Sequence, residues 1–206
     1  MTDDTTPHEP HLAATEPSEL TSVAAHVVPS IRHFLTTTVG VASGGEPDSA
    51  MSLLILALSD ALNAGAHLGA MTDIVPPHRF EPDAGRDSDI EPLREALARI
   101  FDGIDAFPQI VDPVIDADVE TSAISSDLAL IVDNLAHGLQ HYDAGHQVEA
   151  MWWWQFSYLS TWGERASGVL RVLQLILAHV RLDVPDDVAQ EAHFDALHAA
   201  TPTTPA

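Results

Sequence analysis

Asp133, His137 and His141 stand at i, i+4 and i+8, so on a helix they share one ridge. Two histidines four residues apart can grip a divalent ion between them, and a carboxylate one turn earlier can complete part of the shell. His67, on an earlier helical segment, could add a further ligand if the two helices lie side by side. Such a set would suit a metal-dependent hydrolase or transferase. The ridge, however, falls on the polar side of its helix, opposite Leu128 and Leu135. The expectation is therefore a solvated face carrying an Asp–His pair worth roughly 0.3 kcal/mol.

Asp112, Asp116, Asp118 and Glu120 crowd one short stretch and could attract Ca²⁺, but the glycine that an EF-hand loop needs at its sharp turn is missing. A solvated loop is expected there. Asp60, Asn63 and His67 read as the solvent edge of a helix. The chain contains neither G-x-G-x-x-G nor a P-loop, and neither G-x-S-x-G nor H-E-x-x-H. No catalytic residues are assigned.

Trp152, Trp153 and Trp154 cannot share one face of a helix, because successive residues are about 100° apart. The apolar stripe of that helix is Val148, Met151, Leu159, Trp162, Ala166, Leu173 and Val180. Trp153 points away from it, beside Ser160, Glu164 and Arg171. Indoles are enriched at interfaces, so Trp153, with Trp154, Glu164 and Arg171, is expected to form a contact for a partner or a second subunit. The competing expectation is that Trp153 lies beneath the 105–121 segment or the C-terminal segment. Gln155 is a polar side chain within the apolar face and should hydrogen-bond to a neighbouring helix, since an unpaired buried amide is costly.

Five apolar-periodic segments must position these residues, at about 18–39, 47–71, 88–104, 122–142 and 147–181. Pro29 predicts a kink or break in the first. Pro47 and Asp48 suit the start of the second, whose Asp60, Asn63 and His67 argue for a core helix instead of a bilayer span. Ser88-x-x-Glu91 reads as a capping box for the third, with Ile90, Leu93, Leu97, Ile100, Phe101 and Ile104 as its buried edge. Residues 72–87 form a long loop, and Pro108 and Pro113 mark 105–121 as extended or irregular chain. The fifth segment, about 50 Å long if unbroken, should bend near Gly163. The resulting fold class is all-α, a single-domain helical bundle of about five main helices over 17–182. It has disordered termini at 1–16 and 200–206, and a short C-terminal helix at 183–199. For 206 residues, one core burying roughly 70% of the unfolded surface is expected.

Thirty-one acids face eight basic residues, all arginine, for a formal net charge of −23. That charge repels phosphate backbones and anionic lipid, so neither nucleic acid nor membrane is an expected partner. Without cysteine, disulfides and thiolate metal sites are excluded. The acidic start, Met1-Thr2-Asp3-Asp4, differs from a signal peptide, and a cytoplasmic location is expected.

The run Ser126-Asp127-Leu128-Ala129-Leu130-Ile131-Val132-Asp133-Asn134-Leu135-Ala136-His137-Gly138-Leu139 resembles a motif of the bacterial family known as domain of unknown function 5063. Its members read D-D-L-A-D-I-Y-x-D-L-x-x-G-L there. Trp154-Gln155-Phe156, then Trp162-Gly163 and Ala166, resemble that family's W-x-F and H-W-G-x-H-A, and Phe107 to Pro113 resembles its aromatic-x-x-V-x-D-P segment. The resemblance implies an all-helical fold and no established activity. This chain departs from the pattern at Ser126, Leu130 and Asn134, where the family has Asp, and at Thr161 and Arg165, where it has His. Any acid or metal chemistry those groups support in the family would be largely lost here. The leading expectation is a non-enzymatic module acting by protein–protein contact, with an unknown partner or as a homodimer, and with no cofactor. The alternative is the divalent-metal enzyme built on Asp133, His137, His141 and His67. A third is an acidic nucleic-acid mimic held by a basic protein.

Overall fold

Helix α1 runs from Pro17 to Ala42 without a break at Pro29. Proline there deprives the Ala25 carbonyl of its amide partner, and Ala25 is on the exposed side, where water can take the amide's place. The expected break therefore does not occur. This is a computed structural model, and it describes residues 17–45, 49–76, 89–112 and 114–182. The expected tails at 1–16 and 200–206, the short helix at 183–199, Pro47, Asp48 and Ser88 lie outside the described residues.

After α1 come α2 (Ala50–Gly69), α3 (Glu91–Ile100), strands β1 (Ala106–Asp112) and β2 (Asp116–Ala123), α4 (Ile124–Asp143), α5 (Gln147–Ser157), a π-helical turn (Tyr158–Trp162) and α6 (Gly163–Leu182). The all-helical bundle expected from the apolar periods is the architecture found, with one small addition. The segment 105–121, expected to be extended or irregular, is extended, and its two strands pair as an antiparallel hairpin. Glu91 heads α3 instead of standing three residues inside it, and its amide is capped by the Asp89 carboxylate at 3.2 Å. Arg94, one turn on, donates to the Glu91 carboxylate and holds it below the usual carboxylate range.

Helix α1 packs along α2, α2 also meets α6, and α4 is covered by α3 on one side and α5 on another. Val27, Ile31 and Phe34 of α1, Leu54, Leu58 and Leu68 of α2, and Leu128, Ile131 and Leu135 of α4 join one core with Trp154, Trp162 and Leu173. Helix α2 is long and apolar enough to cross a membrane by length and composition. Here it buries one face, from Leu54 to Leu68, among its neighbours. Leu97 and Phe101 of the α3 segment are buried, whereas Ile100 and Ile104, expected on the same edge, are exposed.

Just before Gly163, where a bend was expected, a π-helical turn interrupts the α-helical pattern. A π turn accommodates an extra residue, so the apolar stripe shifts phase across it. Tyr158 turns inward in place of Leu159, which is exposed, as is Val180 near the end of α6. The Tyr158 ring and Trp162 lie over Gly65 of α2; a Cβ on Gly65 would come within 2.6 Å of Trp162 Cη2.

Gln155 ties α5 to the end of α2. Its Oε1 accepts from Ile74 N at 2.8 Å, and its Nε2 donates to Leu68 O at 2.9 Å and to Thr72 O at 3.3 Å. Gln155→Leu keeps the volume but strands the buried Ile74 amide. A loss of about 2 kcal/mol in denaturant unfolding is expected, and a change below about 0.5 kcal/mol would show the amide to be dispensable.

Candidate functional site

The hairpin is fastened to the bundle at its base. The Asp105 carbonyl accepts from Ile124 N at 2.9 Å, and its carboxylate accepts from Ser125 N at 2.8 Å and Ser125 Oγ at 2.7 Å. One aspartate thus joins the start of β1 to the first turn of α4, where the orphan amides and the positive end of the helix favour a carboxylate. At the tip, Asp112 Oδ1 accepts from Val114 N at 2.9 Å and Ile115 N at 3.2 Å, closing an Asx-type turn.

Strand pairing assigns each side chain to a face. Phe107 opposes Ser122 and Gln109 opposes Glu120 on the inner face; Ala106, Pro108 and Ile110 oppose Ala123, Thr121 and Val119 on the outer face. The inner face is turned to the bundle, with Phe107 buried and Gln109 donating to Glu164 of α6. The outer face is turned to solvent. Ile110 is 47% exposed, Val119 64%, and at the tip Val114 reaches 91% and Ile115 84%. This is the reverse of the usual half-buried sheet, in which the apolar face is the covered one. Five β-branched apolar residues (Ile110, Val111, Val114, Ile115 and Val119) within ten positions were the sequence signal for this hairpin.

Between hairpin and bundle lies a cleft of 240 Å³ lined by Gln109, Glu120, Thr121, Ser122, Glu164 and Arg165. Beneath it Asp127 of α4 is 1% exposed and accepts from Arg165 Nη1 at 2.6 Å and Ser122 Oγ at 2.7 Å. Arg165 stands where the family pattern has a histidine, and its guanidinium pairs with the buried carboxylate. The Ser122 hydroxyl donates to that carboxylate directly, so the trio ties β2, α4 and α6 together. Three carboxylates (Glu120, Asp127 and Glu164) surround one guanidinium, leaving the cleft negative. The buried Gln109 Oε1 meets no donor among the described residues.

Of the residues expected to form a tryptophan-centred contact, Trp153 and Trp154 hydrogen-bond to α4, Trp154 from a buried position, while Glu164 and Arg171 are exposed. Trp153 Nε1 donates to Asn134 O at 2.9 Å and its ring lies 4.4 Å from that of His137, so α4 packs against it; the C-terminal segment that was the other expected cover lies outside the described residues. Trp154 is fully buried and donates to Leu135 O at 3.1 Å. Glu164 is held by Gln109, and Arg171 remains on the exposed side of α6.

The Asp133–His137–His141 ridge is not the solvated face expected. His141 is fully buried and 5.0 Å from the His137 ring, because α5 crosses this side of α4. His67 does not join them; its ring sits 4.7 Å from His26 between α2 and α1. Among the described residues no three His, Asp or Glu groups come together as a metal site, and this includes the acidic stretch at Asp112, Asp118 and Glu120.

A crystal structure of protein BF1032 from Bacteroides fragilis has a similar fold, with a TM-score of 0.61 at 16% identity over 75% of this chain and 91% of that one. No curated protein matches the sequence. The sequence model of one family matches residues 18–179, a span that includes the α4 motif, the tryptophan helix and the hairpin. The chain therefore belongs to the family described as domain of unknown function 5063.

Proposed function

We propose that this protein is a non-enzymatic module that works by protein–protein contact, and that the hairpin is its contact element. The observation that carries this reading is the outward apolar face of Ile110, Val119, Val114 and Ile115 on an ordered, anchored arm. Exposed apolar residues gathered on one small element mark interaction sites. Two strands alone are marginally stable in water, so an arm presenting its apolar side outward gains most from a covering partner. A net charge of −23 repels a second copy and attracts a basic protein.

The test is a four-site variant, Ile110→Ser, Val114→Asp, Ile115→Asp and Val119→Ser, compared with wild type in partner capture under native conditions. The variant is expected to keep its helical circular dichroism and its melting temperature within about 3 °C, because these side chains contribute little to the core. It is expected to lose the proteins that the wild type retains. Identical capture by both would refute the hairpin as the contact.

A further inference from the structure

Pro108 has no N–H, and it pairs with Thr121. In an antiparallel ladder that pair must be one whose members do not exchange hydrogen bonds with each other. The Thr121 N–H therefore points to the outer edge of β2, and so does that of Val119, two residues back. On β1 the matching outward position is Pro108 itself, which blunts that edge. Among the described residues the hairpin thus has one edge interrupted by proline, that of β1, and one open edge, that of β2. Along the open one, Asp118, Val119, Glu120 and Thr121 are all exposed.

We infer that the open edge of β2 receives an extended segment of a partner protein as a third strand, and that this segment alternates basic and apolar residues. This rests on the contact reading above and specifies its chemistry. A strand added beside β2 continues both faces of the hairpin. Its side chains on the bundle side fall next to Glu120, which lines the negative cleft, so Lys or Arg is favoured there. Those on the outward side fall next to Val119 and Thr121 and extend the apolar face. Backbone bonds to the edge supply affinity, and the alternation supplies register. A second copy of β2 at this edge would set Asp118 and Glu120 against the same carboxylates, which like-charge repulsion opposes.

The probe is a fluorescein-labelled Lys-Val-Lys-Val-Lys-Val-Lys peptide, with fluorescence anisotropy measured on the full chain at moderate ionic strength. Two control peptides separate the contributions: Lys-Lys-Lys-Lys-Val-Val-Val has the same composition, and Glu-Val-Glu-Val-Glu-Val-Glu has the reverse charge. Thr121→Pro removes an outward donor while leaving the hairpin's own ladder and every charge intact. The expected result is saturable binding of the alternating basic peptide, at least tenfold weaker for both controls and for Thr121→Pro. Equal binding of the two lysine peptides would reduce the interaction to bulk charge and overturn the inference. So would unchanged binding by Thr121→Pro, or a wild-type dimer in sedimentation that Thr121→Pro dissociates, since the edge would then belong to a second copy. If partner capture is abolished by the four-site variant but not by Thr121→Pro, the contact reading stands and strand addition falls.

Discussion

Gly138→Ala is expected to destabilise the protein by about 2 kcal/mol, whereas Gly40→Ala should stabilise it by about 0.5 kcal/mol. Both glycines lie within helices, where alanine is intrinsically the better residue. They differ in what a methyl group would meet. At Gly40 nothing lies within 4 Å. At Gly138 the new carbon would fall 2.6 Å from Trp154 Cδ1 and closer still to Nε1. The indole is fully buried and fixed to Leu135 O, so it cannot withdraw without breaking that bond and opening a gap between α4 and α5. Overpacking typically costs about 1–3 kcal/mol, enough to outweigh the propensity gain of roughly 1 kcal/mol. Urea unfolding of the two variants beside wild type is the measurement. Equal signs for both would mean that the close approach of Trp154 is not what requires glycine at 138.

Arg165→Leu is expected to cost about 3 kcal/mol, and Asp127→Asn only about 1 kcal/mol, although each breaks the same ion pair. The asymmetry follows from burial: the Asp127 side chain is 1% exposed and that of Arg165 40%. Without Arg165, the carboxylate keeps the Ser122 hydroxyl but has no access to water. Without the Asp127 charge, the guanidinium can turn to solvent, and that solvation reduces the loss. The double variant should therefore be more stable than Arg165→Leu alone, because it removes the stranded charge. A thermodynamic cycle of the four proteins in guanidinium chloride measures this coupling. Strict additivity would show that Asp127 and Arg165 do not act as a pair.

The helices were legible because a period of 3.6 is written along the chain by Leu128, Ile131, Val132 and Leu135, and by their counterparts on the other segments. Gln155 was legible for a similar reason: a polar residue in an apolar stripe demands a partner, and the partner is the end of α2. The hairpin was obscured by Pro108 and Pro113, which argue against strand, although proline is tolerated where its missing donor faces an edge. The phase of the last helix failed at Leu159, because a wide turn is not a property of any one residue. It arises where the Tyr158 and Trp162 rings must both reach Gly65.

By itself, then, the amino-acid order determined the helical class, the acidic surface, the core stripes and the family motif, since each depends on local periodicity or on composition. Tertiary structure decided which polar and aromatic groups face solvent. His137 and His141 read as surface from their own helix, yet where α5 crosses α4 His141 is buried and His137 and Trp153 are partly covered. Ile110 and Val119 have the chemistry of interior residues, and the hairpin turns them outward because Phe107 and Gln109 occupy the side next to the bundle. Periodicity specifies the faces of an element, but only packing against another element selects the face that is covered.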